Sequence, residues 1–146
     1  MYTSIQTNLM KVKESTNTKM TTPSQVAEEC KDIADIAQEA FQVITLNSHN
    51  KMIDRHLITL GILDASLVHP REVFRPCLND SAAALILVHN HPSGDTTPSA
   101  EDIRITKKMI EAGNIIDIKP LDHVIVAKKD GKVQHLSMRE EGICQF

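Results

Sequence analysis

Apolar residues recur at helical spacing early in the chain, and an extended pattern follows. Residues 25–40 are predicted to form a helix, because their apolar positions share one face. Those positions are Val26, Ile33, Ile36, Ala37 and Ala40. Residues 41–46 and 52–63 are rich in apolar and β-branched side chains, and the polar cluster 47–50 between them predicts a hairpin. Gly61 is expected to mark a bulge or bend.

The middle and end of the chain alternate between the two patterns. Pro70 suits the first turn of a short helix, although Pro76 predicts a kink or restart within it. The apolar run 82–88 predicts a strand buried on both faces, and residues 98–112 predict a helix that stops at Gly113. Further strands are expected at 115–118, 123–127 and 132–136. This alternation predicts an α/β (α+β) domain with a mixed sheet.

The first 24 residues differ from the rest, because they are rich in Thr, Ser, Asn and Lys and have no sustained period. We expect a mobile polar arm at residues 1–24, or a segment that orders against a partner, followed by one domain at 25–146. The 146 residues suffice for a single core, and an aromatic content of 3% makes that core aliphatic.

Charge and composition exclude some classes of function. With 16 basic and 19 acidic residues, the net charge of −3 argues against a general nucleic-acid or membrane-surface binder. The apolar runs are too short to span a bilayer, and the first residues lack the apolar segment of a signal peptide. The three cysteines are too far apart to indicate a disulfide framework or a metal clip. We expect a cytoplasmic protein without membrane association.

The most informative stretch is HNHPSGDTTPSAED at residues 89–102. His89 and His91 are two residues apart, just beyond the end of a predicted buried strand, so in extended backbone both imidazoles can point to one side. Asp102 follows in the first turn of a predicted helix, and the intervening loop can fold it back. Two imidazoles and a carboxylate form a three-ligand zinc site with a fourth position for water.

Structural interpretations of the same residues stay open at this point. A histidine at a strand end is usually only a polar terminus, and Ser99-x-x-Asp102 also fits a helix capping box. The conjunction of H-x-H-P with S-x-x-D after a buried strand favours a metal site. The chain has no H-E-x-x-H, and it lacks the H-x-E and P-C-x-x-C motifs of nucleobase deaminases.

H-x-H-P followed by S-x-x-D resembles the JAMM motif of the MPN (JAB) metalloprotease superfamily. The longer string HNHPSGDTTPSAEDI, with LVHPREVF before it and LDHVIV after it, resembles the RadC-like bacterial branch. The resemblance runs from about residue 38 to the C-terminus. It implies an MPN/JAB-type domain of cytidine-deaminase-like architecture.

The resemblance also implies roles for single residues. It assigns His89, His91 and Asp102 as ligands of one zinc ion per chain and Ser99 as the donor to the oxyanion. Glu39, just before the first core strand, is implied as the general base, with Glu72 as its competitor. For His123, which lies in a matching segment, the prediction is support or packing of the site, not metal ligation.

The expected function is zinc-dependent hydrolysis of an amide, peptide or isopeptide bond in a peptide or protein substrate. The alternatives are a non-catalytic or DNA-repair-associated binding module and an assembly scaffold of the same fold. RadC-like proteins are linked by name to DNA repair and commonly carry an N-terminal helix-hairpin-helix region. Residues 1–37 show no clear hairpin glycine motif, so direct nucleic-acid binding is not expected. The oligomeric state and the identity of the substrate stay open.

Overall fold

Five strands form one mixed sheet in the order β2-β1-β3-β4-β5, in a computed structural model that describes residues 13–146. The strands are β1 Ala40–Leu46, β2 Met52–Leu60, β3 Ala84–Asn90, β4 Lys119–Lys129 and β5 Lys132–Ser137. β3 and β4 are parallel, and the other three neighbouring pairs are antiparallel. The predicted mixed sheet is confirmed.

Helices cover both faces of this sheet. One face packs against the short helix α1, Pro23–Glu29, and the single 3₁₀ turn Lys31–Ile33. The other face packs against α2, Pro70–Asn79, and α3, Ala100–Ile116. β1 and β3 are buried along their whole length, as expected for central strands of a sheet covered on both sides. Within residues 13–146, no helix is long and apolar enough to cross a bilayer.

The end of the predicted polar arm lies against the β1–β2 turn. The Thr16 amide donates to the Met52 carbonyl, and the Met52 amide donates to the Thr18 carbonyl at 2.9 Å. The Met20 side chain is buried in the core between α1 and the sheet. Residues 1–12 of the arm lie outside the described residues, and the mobility of the arm stays a prediction.

The helix predicted over residues 25–40 is wrong in extent. The apolar positions at helical spacing belong to two separate elements. α1 ends at Glu29, and the 3₁₀ turn that follows buries Ile33 against the same core. The chain then runs irregularly to β1, which begins at Ala40. α1 starts at Pro23, within the helix start that Thr22-Pro23-Ser24 indicates in the sequence, and Thr22 and Gln25 form a capping box there.

The end of α3 differs from the prediction because Gly113 lies inside the helix. A Cβ atom at Gly113 would lie 2.6 Å from the Ile118 carbonyl oxygen, so glycine permits a close approach of backbone. The helix continues to Ile116 and ends at Asp117, whose φ of 59° is left-handed. The strand predicted at 115–118 is therefore wrong, and β4 begins at Lys119.

Two further boundaries bear on the site. β3 begins and ends two residues later than the predicted strand 82–88, so that His89 lies within the strand instead of beyond it. α2 runs through Pro76 to Asn79 without a restart, as one ten-residue helix. The predicted hairpin β1–β2 is confirmed, and β2 ends at Leu60, next to Gly61.

Candidate metal centre

The two motif histidines lie where β3 ends, at the edge of the sheet nearest the start of α3. His89 is the penultimate residue of β3 and shares its face with Leu85 and Leu87, which pack toward α2 and α3. His91 follows the strand, and its amide donates to the Val126 carbonyl of β4 at 3.0 Å. The Nε2 atoms of His89 and His91 lie 2.8 Å apart. The predicted convergence of the two imidazoles is confirmed.

Asp102 joins them from the first turn of α3. Its Oδ1 lies 3.1 Å from Nε2 of His89, and its Oδ2 lies 3.1 Å from Nε2 of His91. Ser99 caps the helix: its hydroxyl oxygen accepts from the Asp102 amide, and its own amide donates to Asp102 Oδ2 at 2.7 Å. The capping box that competed with the ligand interpretation is therefore present. It orients the carboxylate toward the histidines.

The loop between the two motif halves fixes the orientation of His91. Gly94 is buried with a φ of +87°, and a Cβ atom there would lie 3.0 Å from the Lys128 carbonyl oxygen of β4. The loop therefore packs closely on β4. Nδ1 of His91 lies 2.7 Å from the Asp95 carbonyl oxygen, which can only accept, so Nδ1 carries the proton. In a neutral His91, Nε2 then faces the cluster as a lone pair.

The cluster favours a positive charge at its centre. Burial opposes ionisation of Asp102, but hydrogen bonds with His89 and His91 outweigh it and hold the pKa of Asp102 well below its usual range. Burial likewise opposes charge on His91, yet the hydrogen bonds to Asp102 and to the Asp95 carbonyl prevail and raise the pKa of His91. A proton or a metal cation meets this demand. The group of His89, His91 and Asp102 can therefore hold a metal ion.

Access to the cluster comes from the His91 side. His89 is fully buried and the Asp102 side chain is 3% exposed, whereas the His91 side chain is 11% exposed. Phe41 on β1 packs against the His89 ring at a centroid distance of 6.4 Å and closes the inner side. A ligand of the metal other than these three residues would enter past His91.

Glu39 lies immediately before β1, the strand in which Phe41 pairs with His89 of β3. Its carboxylate accepts from the Leu63 amide at 2.8 Å, and its carbonyl accepts from the Gly61 amide at 2.7 Å. Its negative charge contributes to the raised pKa of His91, which places the carboxylate within electrostatic reach of the cluster. Glu72, the competing residue, is exposed on α2 and lines a groove with Arg75 and Asn79. Of the two glutamates, Glu39 is the one whose charge acts on the cluster.

Asn90, between the two histidines, is a residue whose role sequence reasoning missed. Its side-chain oxygen accepts from the Ala40 amide at 2.6 Å, and its side-chain nitrogen donates to the Gln38 carbonyl at 3.0 Å. The amide thus clamps the backbone on both sides of Glu39. Side chains alternate in direction along a strand, so Asn90 points to the opposite face from His89 and His91. This alternation was the available signal in the sequence that Asn90 faces a neighbouring segment.

His123 and Thr106 lie behind His89, on β4 and α3. Both are fully buried, and the pKa of His123 is well below its usual value because of burial and the nearby His89. His123 contacts His89 and does not join the set of converging ligand atoms. This position agrees with the predicted supporting role. Thr106 gave no signal in the sequence, since a threonine within a helix is an ordinary residue.

Comparisons with known proteins agree with this geometry. Residues 20–143 match the family described as RadC-like JAB domain. A UPF0758 protein of Caldanaerobacter subterraneus subsp. tengcongensis is 44% identical over 139 residues, which cover 94% of this chain and 58% of that relative. A UPF0758 protein of Listeria welshimeri is 51% identical over 111 residues, which cover 76% of this chain and 48% of the relative.

A UPF0758 protein of Desulforamulus reducens is 47% identical over 112 residues, with 77% of this chain and 48% of the relative covered. The chain thus spans about half the length of the curated relatives it matches. The matched region includes every residue of the candidate metal centre, from Glu39 to His123. The family match and these identities together mean that the chain belongs to the family of RadC-like JAB domains.

Proposed function

We propose that this domain is a zinc-dependent hydrolase of amide bonds in peptides or proteins. The observation that carries the proposal is the convergence of two imidazole nitrogens and one carboxylate within 3.1 Å of each other, beside an opening and a glutamate. Zinc is the metal that best fits two nitrogens and one oxygen with a position left free. His91 is the most exposed of the three residues that would hold the zinc, so a substrate would approach the cluster from its side.

When bound, zinc would supply Lewis acidity, which acidifies a water molecule and polarises a carbonyl group. Glu39 would accept a proton from the attacking water on its carboxylate and deliver it to the leaving nitrogen. The hydrogen bond from the Leu63 amide and the Asn90 clamp hold this carboxylate in place. The base therefore has a fixed position without being sealed from solvent.

Ser99 is suited to donate to the developing oxyanion. The Ser99 hydroxyl oxygen accepts from the Asp102 amide. Among the described residues the hydroxyl hydrogen has no acceptor, so it remains free to donate to a substrate. Ser99 is exposed, and its amide donates to Asp102 Oδ2, the oxygen that also lies 3.1 Å from Nε2 of His91. A single donor of this kind commonly contributes about 3 kcal/mol to the transition state. The cap and the proposed catalytic role therefore use different parts of one hydroxyl group.

We further propose a cytoplasmic protein whose substrate is a peptide or protein. The three cysteines of the chain are free and buried, which suits a reducing compartment. The non-catalytic or DNA-repair-associated module remains the alternative function. This chain matches about half the length of its relatives. The activity and substrates of a protein of that full length are therefore part of the proposal.

Metal content and peptide cleavage test the proposal. Protein loaded with zinc is incubated with a peptide library in ordinary and ¹⁸O-labelled water, and products are identified by mass spectrometry. We expect cleaved peptides with ¹⁸O at the new carboxylate. Glu39→Gln should keep the zinc and lower cleavage by at least about 100-fold, the range of a lost general base. Glu72→Gln is the matched control and should cleave like the wild type.

Three results would contradict the proposal in different ways. A purified protein that neither contains nor takes up zinc would exclude the metal-dependent mechanism. Zinc binding without cleavage of any peptide would favour the non-catalytic module, particularly if the protein bound DNA. Cleavage that survives Glu39→Gln but is lost in Glu72→Gln would move the general base to α2.

A further inference from the structure

A hydrogen-bonded chain joins His89 to the backbone of the helix that carries Asp102. Nδ1 of His89 lies 2.8 Å from Nε2 of His123, and Nδ1 of His123 lies 2.5 Å from the Thr106 hydroxyl oxygen. That oxygen lies 2.6 Å from the Asp102 carbonyl oxygen. His89, His123 and Thr106 are each fully buried. The chain therefore starts at one predicted ligand and returns to the residue that supplies another.

Only one arrangement of protons satisfies every bond in this chain. The Asp102 carbonyl can only accept, so the Thr106 hydroxyl must donate to it. The Thr106 oxygen then accepts from His123, which places the proton of His123 on Nδ1. Nε2 of His123 is consequently an acceptor, and His89 must donate to it from Nδ1. In a neutral His89 the one proton is therefore on Nδ1, and Nε2, the atom that faces Asp102 and His91, carries a lone pair.

The chain lies among apolar side chains in the core. Phe41 packs edge-on against the His123 ring at a centroid distance of 5.9 Å. Among the described residues, the one further hydrogen-bond partner of the Thr106 hydroxyl is the Met138 sulfur at 3.5 Å, which also can only accept. Either acceptor gives the same direction for the hydroxyl proton. Reversing any link would set two donors or two acceptors against each other in a buried site.

We propose that Thr106 and His123 are positioning residues that fix the Nδ1–H tautomer of His89 and so present its Nε2 lone pair to the metal. The effect of these two residues on hydrolysis rests on the proposed function. Their effect on the tautomer of His89 can be measured in the metal-free protein. Partners of a ligating histidine typically change metal affinity by about 10- to 100-fold when removed. Thr106, two hydrogen bonds away from His89, determines the proton position through His123.

Substitutions at Thr106 separate the hydroxyl group from the packing. Thr106→Val keeps the shape of the side chain but removes the hydroxyl, and Thr106→Ser keeps the hydroxyl but loses a methyl group. We expect Thr106→Val to bind zinc about tenfold more weakly than the wild type, measured by competition with a chromophoric chelator. Thr106→Ser should bind zinc like the wild type, although it leaves a small cavity. Thermal unfolding of each variant confirms that it is folded.

Substitutions at His123 test the next link in the same way. Glutamine at position 123 offers an oxygen that accepts and a nitrogen that donates, whereas leucine offers neither. We expect His123→Leu to lose about 10- to 100-fold in zinc affinity and His123→Gln to recover part of that loss. Equal losses in the two variants would indicate that His123 acts by packing alone.

Nitrogen-15 NMR of the imidazole rings in metal-free protein gives the direct readout. Wild type and Thr106→Ser should show His89 with its proton on Nδ1, whereas Thr106→Val should show a mixture with the Nε2–H tautomer. The proposal is overturned if Thr106→Val keeps the wild-type tautomer and the wild-type zinc affinity. If the wild type itself bound no zinc, the proposed hydrolase would fail, but the NMR comparison would still decide whether the chain sets the tautomer.

Discussion

Two groups of histidine and aspartate side chains in this molecule look alike by composition and distance. The ligand cluster consists of His89, His91 and Asp102, and the β2 cluster consists of Asp54, His56 and Asp80. In each group, three potential ligand atoms lie within 4.8 Å of one another. Each also has one buried aspartate, but the ligand cluster is more deeply buried, because His89 is fully buried whereas the His56 side chain is 25% exposed. A second difference lies in what already balances their charge.

The β2 cluster contains its own cation. The Lys13 ammonium group bonds to Asp54 and lies 3.3 Å from Asp80. His56 Nε2 lies 2.6 Å from Asp80 Oδ2, and the Thr45 hydroxyl donates to the same oxygen at 2.7 Å. The buried carboxylate is therefore satisfied by the protein itself.

The ligand cluster is built in the opposite way. Among the described residues, no lysine or arginine contacts its three ligand atoms, and the outer nitrogens of both histidines are engaged by other groups. Its lone pairs therefore face each other and require a cation from outside. Proximity of histidines and carboxylates does not by itself make a metal site. The proton positions and the charge already present decide it.

Removing one residue from each cluster gives the largest expected contrast. We expect His89→Ala or Asp102→Ala to abolish stoichiometric zinc binding, because each removes a ligand and leaves the other lone pairs without a fixed partner. His56→Ala and Asp80→Ala are the matched controls and should retain about one zinc per chain. Zinc is measured by elemental analysis after dialysis, with thermal unfolding to verify folding. Loss of zinc in the β2 variants alone would reverse the assignment of the two clusters.

Acid stability should depend on the β2 cluster with a defined sign. Burial raises the pKa of Asp80, but hydrogen bonds from His56 and Thr45 outweigh it, so the folded pKa lies below the usual value. An aspartate whose pKa is lower in the folded protein than in the unfolded chain stabilises the fold at pH values above the unfolded pKa, which is about 3.9. This stabilisation is lost as the pH falls through the folded pKa.

Asp80→Asn removes this dependence on pH. We expect the variant to be less stable than the wild type at pH 7 by about 1–3 kcal/mol, since charged hydrogen bonds in a buried site are lost. The difference should narrow as the pH falls from about 5 to 3, because the wild type loses the contribution of Asp80 and the variant has none to lose. Urea unfolding at several pH values measures it. Parallel pH profiles would show that Asp80 does not titrate with unfolding.

Local patterns predicted the ligand cluster well because its chemistry is local in the sequence. His89 and His91 converge through strand alternation, and Asp102 is oriented by a cap three residues long. The same reasoning predicted the mixed sheet and the β1–β2 hairpin. Each of these predictions rests on patterns within one segment or between neighbouring segments of the chain.

Features that depend on contacts between separate elements of the fold were missed. Gly113 was interpreted as a helix stop, since glycine commonly ends helices, but it is needed for contact with Ile118 and Pro120 across the turn into β4. The clamp of Asn90 on the segment around Glu39 joins residues about fifty positions apart. The chain from His89 to Thr106 crosses from β3 to β4 and back to α3. No single-sequence pattern encodes such pairings.

Lys13→Met gives the smallest expected change and the sharpest test of the comparison. The Lys13 side chain is 43% exposed, so its ion pairs should contribute less than about 1 kcal/mol, measured by urea unfolding at pH 7. The β2 cluster would then carry uncompensated carboxylates beside His56. We expect a second zinc-binding step in calorimetry, weaker than the first and lost in the double variant with Asp80→Asn. If Lys13→Met still bound only one zinc ion, the built-in cation would not be what distinguishes the clusters. The orientation of the histidines by their hydrogen-bonded partners, which His89 and His91 both have, would then be the decisive difference.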